Sequence, residues 1–293
     1  MGSTTEGHRG SKGDTVIETV SVDCPCCGQS RTDPWLTENG YHAVRCSYCR
    51  LIYVNPRPIE ALISESVRTG VHRDGKNAIS RRVASKVRHY EQLFGDMFED
   101  VWATGRTISW IDIGSGYGEV VEAVTKLAAP KSLIMGVEPM LPKAQDAQDR
   151  GLRVENRFLS EVDERFEFAS LIDVFSHVPN FGDLLSEIAQ VLCPGGELLI
   201  ETGDIGGLRD PGQGLGGWDL PDHLVFAGES NMRSFFDQSG FDVISVTKRR
   251  VDGFEFSAKN VAKRVLGRPA SIRIPYSSPY RTMFMRARLR VEA

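Results

Sequence analysis

Three groups of residues in this 293-residue chain could do chemistry: a glycine run, two cysteine pairs and a set of histidines among carboxylates. The first is Asp112-Ile113-Gly114-Ser115-Gly116-Tyr117-Gly118. Glycines at 114, 116 and 118 permit positive φ and let the backbone approach a ligand with no Cβ in the way, while a helix starting just after them offers free N–H groups. Such a loop suits a nucleotide-like cofactor, although similar spacings also build plain turns. The pattern is GxGxG followed by Glu119, which departs from the dinucleotide fingerprint GxGxxG. Glu138 stands roughly 20 positions downstream, where a carboxylate can accept hydrogen bonds from ribose hydroxyls.

The second group is Cys24-Pro25-Cys26-Cys27-Gly28 with Cys46-Ser47-Tyr48-Cys49. Two CxxC pairs on a short connection read as paired knuckles of a structural Zn²⁺ site, four thiolates closing a tetrahedron. Cys24, Cys27, Cys46 and Cys49 are the expected ligands and Cys26 is spare, because Gly28 then follows a ligand where the knuckle needs a free turn. Four protein ligands leave no open position, so this zinc is expected to organise a ribbon and take no part in chemistry. No signal peptide precedes the cysteines, and a cytosolic setting disfavours disulfides.

The third group comprises His177, Asp222 and His223, with Asp173, Glu201 and Asp204 at expected strand ends. An imidazole near its ordinary pKa can take a hydroxyl proton at neutral pH. His223 is the first candidate for a general base and His177 the second; the bland alternatives are a loop brace and a structural turn residue.

The elements that must position these groups alternate. Ile108 to Ile113 reads as a buried strand, and Val120, Val121, Val124 and Leu127 are spaced for the buried face of a helix. Leu133 to Val137 is a second strand, Phe166 to Val174 a further one, Leu184 to Val191 an amphipathic helix stopped by Cys193-Pro194-Gly195-Gly196, and Leu198 to Ile200 another strand. The β-α-β alternation predicts a doubly wound α/β sheet with its site at the carboxyl ends of the strands.

These residues resemble class I S-adenosylmethionine-dependent methyltransferases, in the branch carrying DxGxGxG, an acidic end to the second strand, DVxxHVP(D/N) and LxPGG. The matching segments are Asp112 to Gly118, Glu138, Asp173 to Asn180 and Leu192 to Gly196, and the resemblance spans 106 to 292. It implies a seven-stranded Rossmann-like sheet with an antiparallel last strand, for which Phe241 to Thr247 and Tyr280 to Leu289 are the expected final strands. It implies S-adenosyl-L-methionine held by Asp112, Gly114, Ser115, Gly116, Gly118, Glu138, Pro139 and Asp173. Because no acidic residue follows the third strand, Phe158 or Leu159 would supply an apolar face to the adenine. Ser176 and Cys193 depart from the branch pattern, which more often has Glu and a basic residue there. The segment Trp218-Asp219-Leu220-Pro221-Asp222-His223-Leu224-Val225-Phe226 resembles the branch's PxHxxxF, with two residues instead of three between His223 and Phe226, and it places His223 directly after a glycine-rich loop, 212 to 222, suited to substrate capture.

The expected organisation is a disordered tail over 1–20, a zinc ribbon over 21–58, a helical linker or cap over 59–105, and the S-adenosylmethionine-binding domain over 106–293. The formal net charge of −4 and the lack of a long apolar run predict a soluble, cytoplasmic protein with no membrane contact. Basic residues crowd 73–88 and 248–268, as solvated faces or as a rim for an anionic substrate. The ribbon is nearly charge-balanced and lacks interleaved aromatic and basic residues, which makes nucleic acid an improbable partner. The expected acceptor is therefore a small molecule, with anionic ones among the candidates, methylated on oxygen or nitrogen: a sugar or another hydroxylated natural-product intermediate. Zinc-ribbon members of the branch resemble sugar C-methyltransferases, but those carry a further large C-terminal domain. The alternatives are an RNA base methyltransferase and a non-catalytic zinc scaffold that only binds the cofactor. A monomer or homodimer is expected.

Overall fold

The computed structural model describes residues 5–8, 17–72, 76–77, 82–214, 217–251, 261, 264–266 and 278–291. Within the segment expected to be a disordered tail, β1 (Thr5–His8) and β2 (Ile17–Val20) pair antiparallel, and β2 also pairs with β6 (Arg57–Pro58). The expectation of disorder is corrected there because partner strands satisfy these backbone groups. The ribbon consists of β3 (Thr32–Glu38), β4 (Tyr41–Cys46) and β5 (Ile52–Val54). Asn39 and Gly40, at φ 52° and 81°, make the two-residue turn between β3 and β4, with both central residues in the left-handed region as a type I′ hairpin requires.

The linker carries helices α1 (Glu60–Thr69), α2 (Ser85–Met97) and α3 (Glu99–Trp102), interrupted by the short pair β7 (Val71–His72) and β8 (Lys76–Asn77). Helix α2 buries Val87, Tyr90, Leu93 and Phe94. With Phe98 they form an aromatic layer on Trp110, whose ring lies 4.9 Å from Phe98 and 5.4 Å from Phe168.

The large sheet contains β9 (Ser109–Ile113), β10 (Leu133–Val137), β11 (Val154–Glu155), β12 (Phe166–Ile172), β13 (Leu192–Asp204), β15 (Phe241–Arg249) and β16 (Arg281–Leu289), in the order β11-β10-β9-β12-β13-β16-β15. Strand β16 runs antiparallel to both of its neighbours, and the other pairings are parallel. This is the seven-stranded arrangement anticipated from the sequence. Trp110 to Ile113 are all buried, as a central parallel strand covered on both faces must be. Helices α4 (Glu119–Leu127), α5 (Leu141–Asp149), α6 (Phe181–Val191) and α7 (Glu229–Gln238) provide that cover.

The strand order reverses between β9 and β12, so the crevice at the carboxyl ends of these two strands is where a ligand is expected. Arg286, on the returning strand, is buried rather than solvated: it binds Glu197 at 2.6 Å and Asp100 at 2.8 Å. Of the expected insertion 248–275, residues 252–260, 262–263 and 267–275 lie outside the described residues.

Strand β14 (Val225–Phe226), just after His223, does not join the large sheet. It pairs with β5 and completes a four-stranded ribbon sheet, β14-β5-β4-β3. The ribbon and the loop bearing the candidate base are thus one hydrogen-bonded unit.

Candidate active site

The glycine loop follows β9 as expected, and Gly114, Gly116 and Gly118 have φ of 66°, 55° and 73°. A Cβ at Gly114 would lie 2.6 Å from Val174 Cγ2, whereas one at Gly116 would meet nothing nearer than 4.0 Å. The loop is therefore closed toward β12 and open at its middle, the shape of a cradle for a ligand. The Gly116 N–H donates to Glu138 Oε2 at 2.7 Å, and Met140 N–H donates to Oε1 at 2.9 Å. Glu138 is fixed by two backbone donors and retains lone pairs for hydroxyls.

Asp112 lies beneath the loop. It is 2% exposed and accepts a 2.5 Å hydrogen bond from Ser170 Oγ, and burial pushes its pKa up to about 8. The bond ties β9 to β12 below the glycine loop. Ser115 is also buried, its hydroxyl wedged against Gly136 with no hydrogen-bond partner among the described residues. The Pro139 carbonyl accepts from Asn156 Nδ2, which ties the end of β10 to the residues after β11.

Leu159 is 4% exposed and packs in the main core, so the adenine role expected of it is withdrawn. Phe158 is half-buried with the Arg68 guanidinium 4.7 Å over its ring.

A cavity of about 550 Å³ lies at the carboxyl ends of β12 and β13; Asp173, at φ 58° just past β12, lines it, and the next residue, Val174, packs on Gly114 of the loop. Glu201, Tyr280, Trp218, Phe226, His177 and His223 complete its working surface. Among the described residues, no Lys or Arg lines it. Trp218 stands edge-on to Phe226 with ring centroids 4.8 Å apart, giving an apolar wall. Glu201 Oε2 has no hydrogen-bond partner among the described residues; burial and the neighbouring Asp173 carboxylate push its pKa up to about 8.

His177 and His223 meet across this cavity with ring centroids 4.7 Å apart. His177 Nδ1 lies 2.9 Å from the Asp222 carbonyl oxygen, which can only accept, so Nδ1 carries the hydrogen. The Asp222 carboxylate is 3.5 Å from the same nitrogen. Burial opposes the charged form of His177, but the Asp222 contacts outweigh it and raise the pKa. His223 moves the other way, lowered by burial and by the adjacent His177. Two neighbouring imidazoles pushed in opposite directions are an acid–base arrangement: one holds its proton while the other stays free to accept one.

The four expected cysteines converge. Cys24 Sγ is 3.4 Å from Cys49 Sγ and Cys27 Sγ is 3.6 Å from Cys46 Sγ, and all four sulfurs lie within 4.8 Å of one another. Four sulfurs at ~2.3 Å from one zinc would be about 3.8 Å apart, so the set fits a tetrahedral thiolate site. Cys26 is buried beside α7, with Sγ 4.0 Å from the Asn231 carbonyl, outside that set.

The sequence reading missed Glu38 and Asn39. Glu38 accepts from Trp218 N–H at 3.2 Å and Leu220 N–H at 2.8 Å, and Asn39 Nδ2 donates to the Leu220 carbonyl at 2.8 Å. The Asn39-Gly40 turn signalled a hairpin tip, but nothing local could connect that tip to a loop 180 residues away.

Comparison with known proteins gives consistent results. A family model described as "Methyltransferase domain" matches residues 85–246. Two curated relatives are ubiquinone biosynthesis O-methyltransferases: one from Pseudoalteromonas translucida, 24% identical over 31% of this chain and 42% of the relative, and one from a Bradyrhizobium strain, 32% identical over 31% and 38%. The chain thus spans less than half the length of these relatives. Among solved structures, a SAM-dependent methyltransferase of Leishmania major aligns over 78% of this chain and 82% of its own, with a TM-score of 0.50 and 13% identity. At that identity the likeness concerns the fold.

Proposed function

We propose that this chain, a member of the methyltransferase-domain family, takes its methyl group from S-adenosylmethionine and methylates a hydroxyl oxygen of a small, polyhydroxylated molecule such as a sugar, with His223 as the general base. The observation that carries this reading is the cavity of about 550 Å³, which places Asp173, at the carboxyl end of β12, and the two imidazoles in one lining. Its size is that of a small-molecule site. An apolar wall beside carboxyl and imidazole groups suits the CH faces and hydroxyls of a sugar ring. The carboxyl-rich lining moves the proposal from an anionic acceptor to one that presents a neutral or cationic face inside the cavity.

When bound, S-adenosylmethionine supplies a methyl group already activated by its sulfonium sulfur. Gly114, Gly116 and Gly118 would admit its methionine end and Glu138 its ribose hydroxyls. The chain's remaining task is placement and proton removal. Trp218 and Phe226 would hold the acceptor against the open end of the cradle. During transfer His223 would take the proton of the acceptor hydroxyl. His177, kept as the Nδ1–H form by the Asp222 carbonyl, flanks the base and favours its neutral state. We propose further that Cys24, Cys27, Cys46 and Cys49 hold a structural Zn²⁺.

Two outcomes follow. Glu138→Ala removes the ribose acceptor and the brace on Gly116, so calorimetry is expected to show S-adenosylmethionine binding weakened about 10–100-fold, the range for hydrogen bonds to a charged group; equal affinity would remove Glu138 from the site. Screening S-adenosylhomocysteine release against neutral glycosides, amino sugars, sugar acids and bulk RNA is expected to give turnover with neutral or amino sugars. Turnover with RNA alone would overturn the small-molecule reading.

A further inference from the structure

We propose that Glu38, at the tip of the ribbon hairpin, is a positioning residue for methyl transfer: its carboxylate clamps the acceptor loop and thereby sets His223. The inference rests on the proposed role of His223, and the clamp has its own physical observables.

The clamp is built from both sides of the hairpin tip. The two oxygens of Glu38 take separate backbone donors, Oε1 from Trp218 and Oε2 from Leu220. Asn39 adds the reverse bond, from its amide to the Leu220 carbonyl. Three polar groups of the loop backbone are thus satisfied by two consecutive ribbon side chains. The left-handed turn at Asn39 and Gly40 points both at the loop.

The contacts surrounding this clamp argue that it serves the cavity. Trp218 is itself part of the cavity wall, and its ring also meets Trp35 of β3 at 6.0 Å. His223 N–H donates to the Asp219 carbonyl, one residue from each clamped amide, so the position of the imidazole follows the clamped segment. On the far side of His223, Leu224 is held at both backbone groups: its N–H donates to the Ser176 carbonyl at 2.6 Å and its carbonyl accepts from Val54 N–H of β5 at 2.9 Å. Val225 then pairs with Tyr53. His223 therefore lies between two anchors, both of which use the ribbon. A carboxylate accepting two amides is the stronger kind of hydrogen bond, and here it is directed at backbone rather than at a side chain, which fixes the loop's path whatever residues the loop presents.

The test uses the full-length, metal-loaded chain with S-adenosylhomocysteine bound, in three variants: Glu38→Ala, Glu38→Gln and Asn39→Gly. The last keeps the left-handed turn while removing one clamp bond, and covers the case in which Glu38→Ala fails to fold. Hydrogen exchange and the NMR titration of the His223 ring are read together. In Glu38→Ala the amides of 218 and 220 are expected to exchange at least about tenfold faster, the change for losing a bond to a charged acceptor. The His223 pKa should rise toward the ordinary histidine value as burial loosens. Glu38→Gln, which keeps one accepting oxygen, should recover part of both effects, and Asn39→Gly should show smaller shifts of the same sign. Affinity for S-adenosylhomocysteine should stay within twofold, because the cradle does not touch the clamp. Wild-type exchange and titration in Glu38→Ala would overturn the proposal. So would accelerated exchange spread over β3, β4 and β5, which would make Glu38 a folding residue of the ribbon. If instead His223→Ala transfers methyl groups normally, the base assignment fails while the clamp result stands.

Discussion

Removing the metal from the ribbon is expected to release the acceptor loop as well as the ribbon. Zinc at four thiolates contributes its binding free energy directly to folding, about 10–16 kcal/mol of apparent affinity in small zinc modules. The consequence specific to this chain comes from β14, which completes the ribbon sheet through Val225–Tyr53 and Phe226–Ile52 and lies directly after His223. Chelation, or Cys46→Ser, should therefore raise hydrogen exchange over 24–54 and 224–226 together, while β10, at the far side of the large sheet, stays protected. Metal analysis should give one zinc per chain. A metal-free native protein, or a ribbon that keeps its protection after chelation, would contradict the four-thiolate site.

The second large effect is expected at His223. Replacement by alanine removes the proton acceptor and should lower single-turnover methyl transfer by about 10²–10⁴-fold, with cofactor affinity unchanged. The pH profile gives the sign. The imidazole acts as a base only when neutral, and burial and His177 lower its pKa. The acid limb of the rate should therefore lie below the ordinary histidine value of about 6.5, rising with pH to a plateau at neutrality. In His223→Ala that limb should vanish. An unchanged rate would leave the residue a brace for the loop. His177→Asn keeps a hydrogen-bond donor facing the Asp222 carbonyl but removes the positive charge beside the base, so it should shift the limb upward, a distinct outcome from losing it.

The parts of the fold that were legible in the sequence are those whose signal is local. The turn after β9, the helix face of α4 and the strand ends at Glu138 and Asp173 all follow from hydrophobic periodicity and glycine placement, and the final two strands were located to within two residues at each end. The convergence of Cys24, Cys27, Cys46 and Cys49 was equally direct, since their paired CxxC spacing singles them out. Three features were not legible. Arg286 reads as a solvated strand residue, and only the long-range partners Glu197 and Asp100 bury it. Leu159 reads as a candidate ligand contact, yet its packing in the core is decided by elements distant in the chain. The union of ribbon and acceptor loop depends on backbone pairing between β5 and β14, and backbone groups leave no compositional trace. That pairing bears on the proposed function, because the small four-cysteine module shares a sheet with the strand directly after His223.

The most direct test of the account is the position of the transferred methyl group. With isotope-labelled S-adenosylmethionine and the best acceptor from the sugar panel, NMR of the product is expected to show the label on a hydroxyl oxygen, formed at a rate that His223→Ala reduces by about 10²-fold or more. A label on carbon or nitrogen, or an O-methyl product formed equally fast without His223, would contradict it.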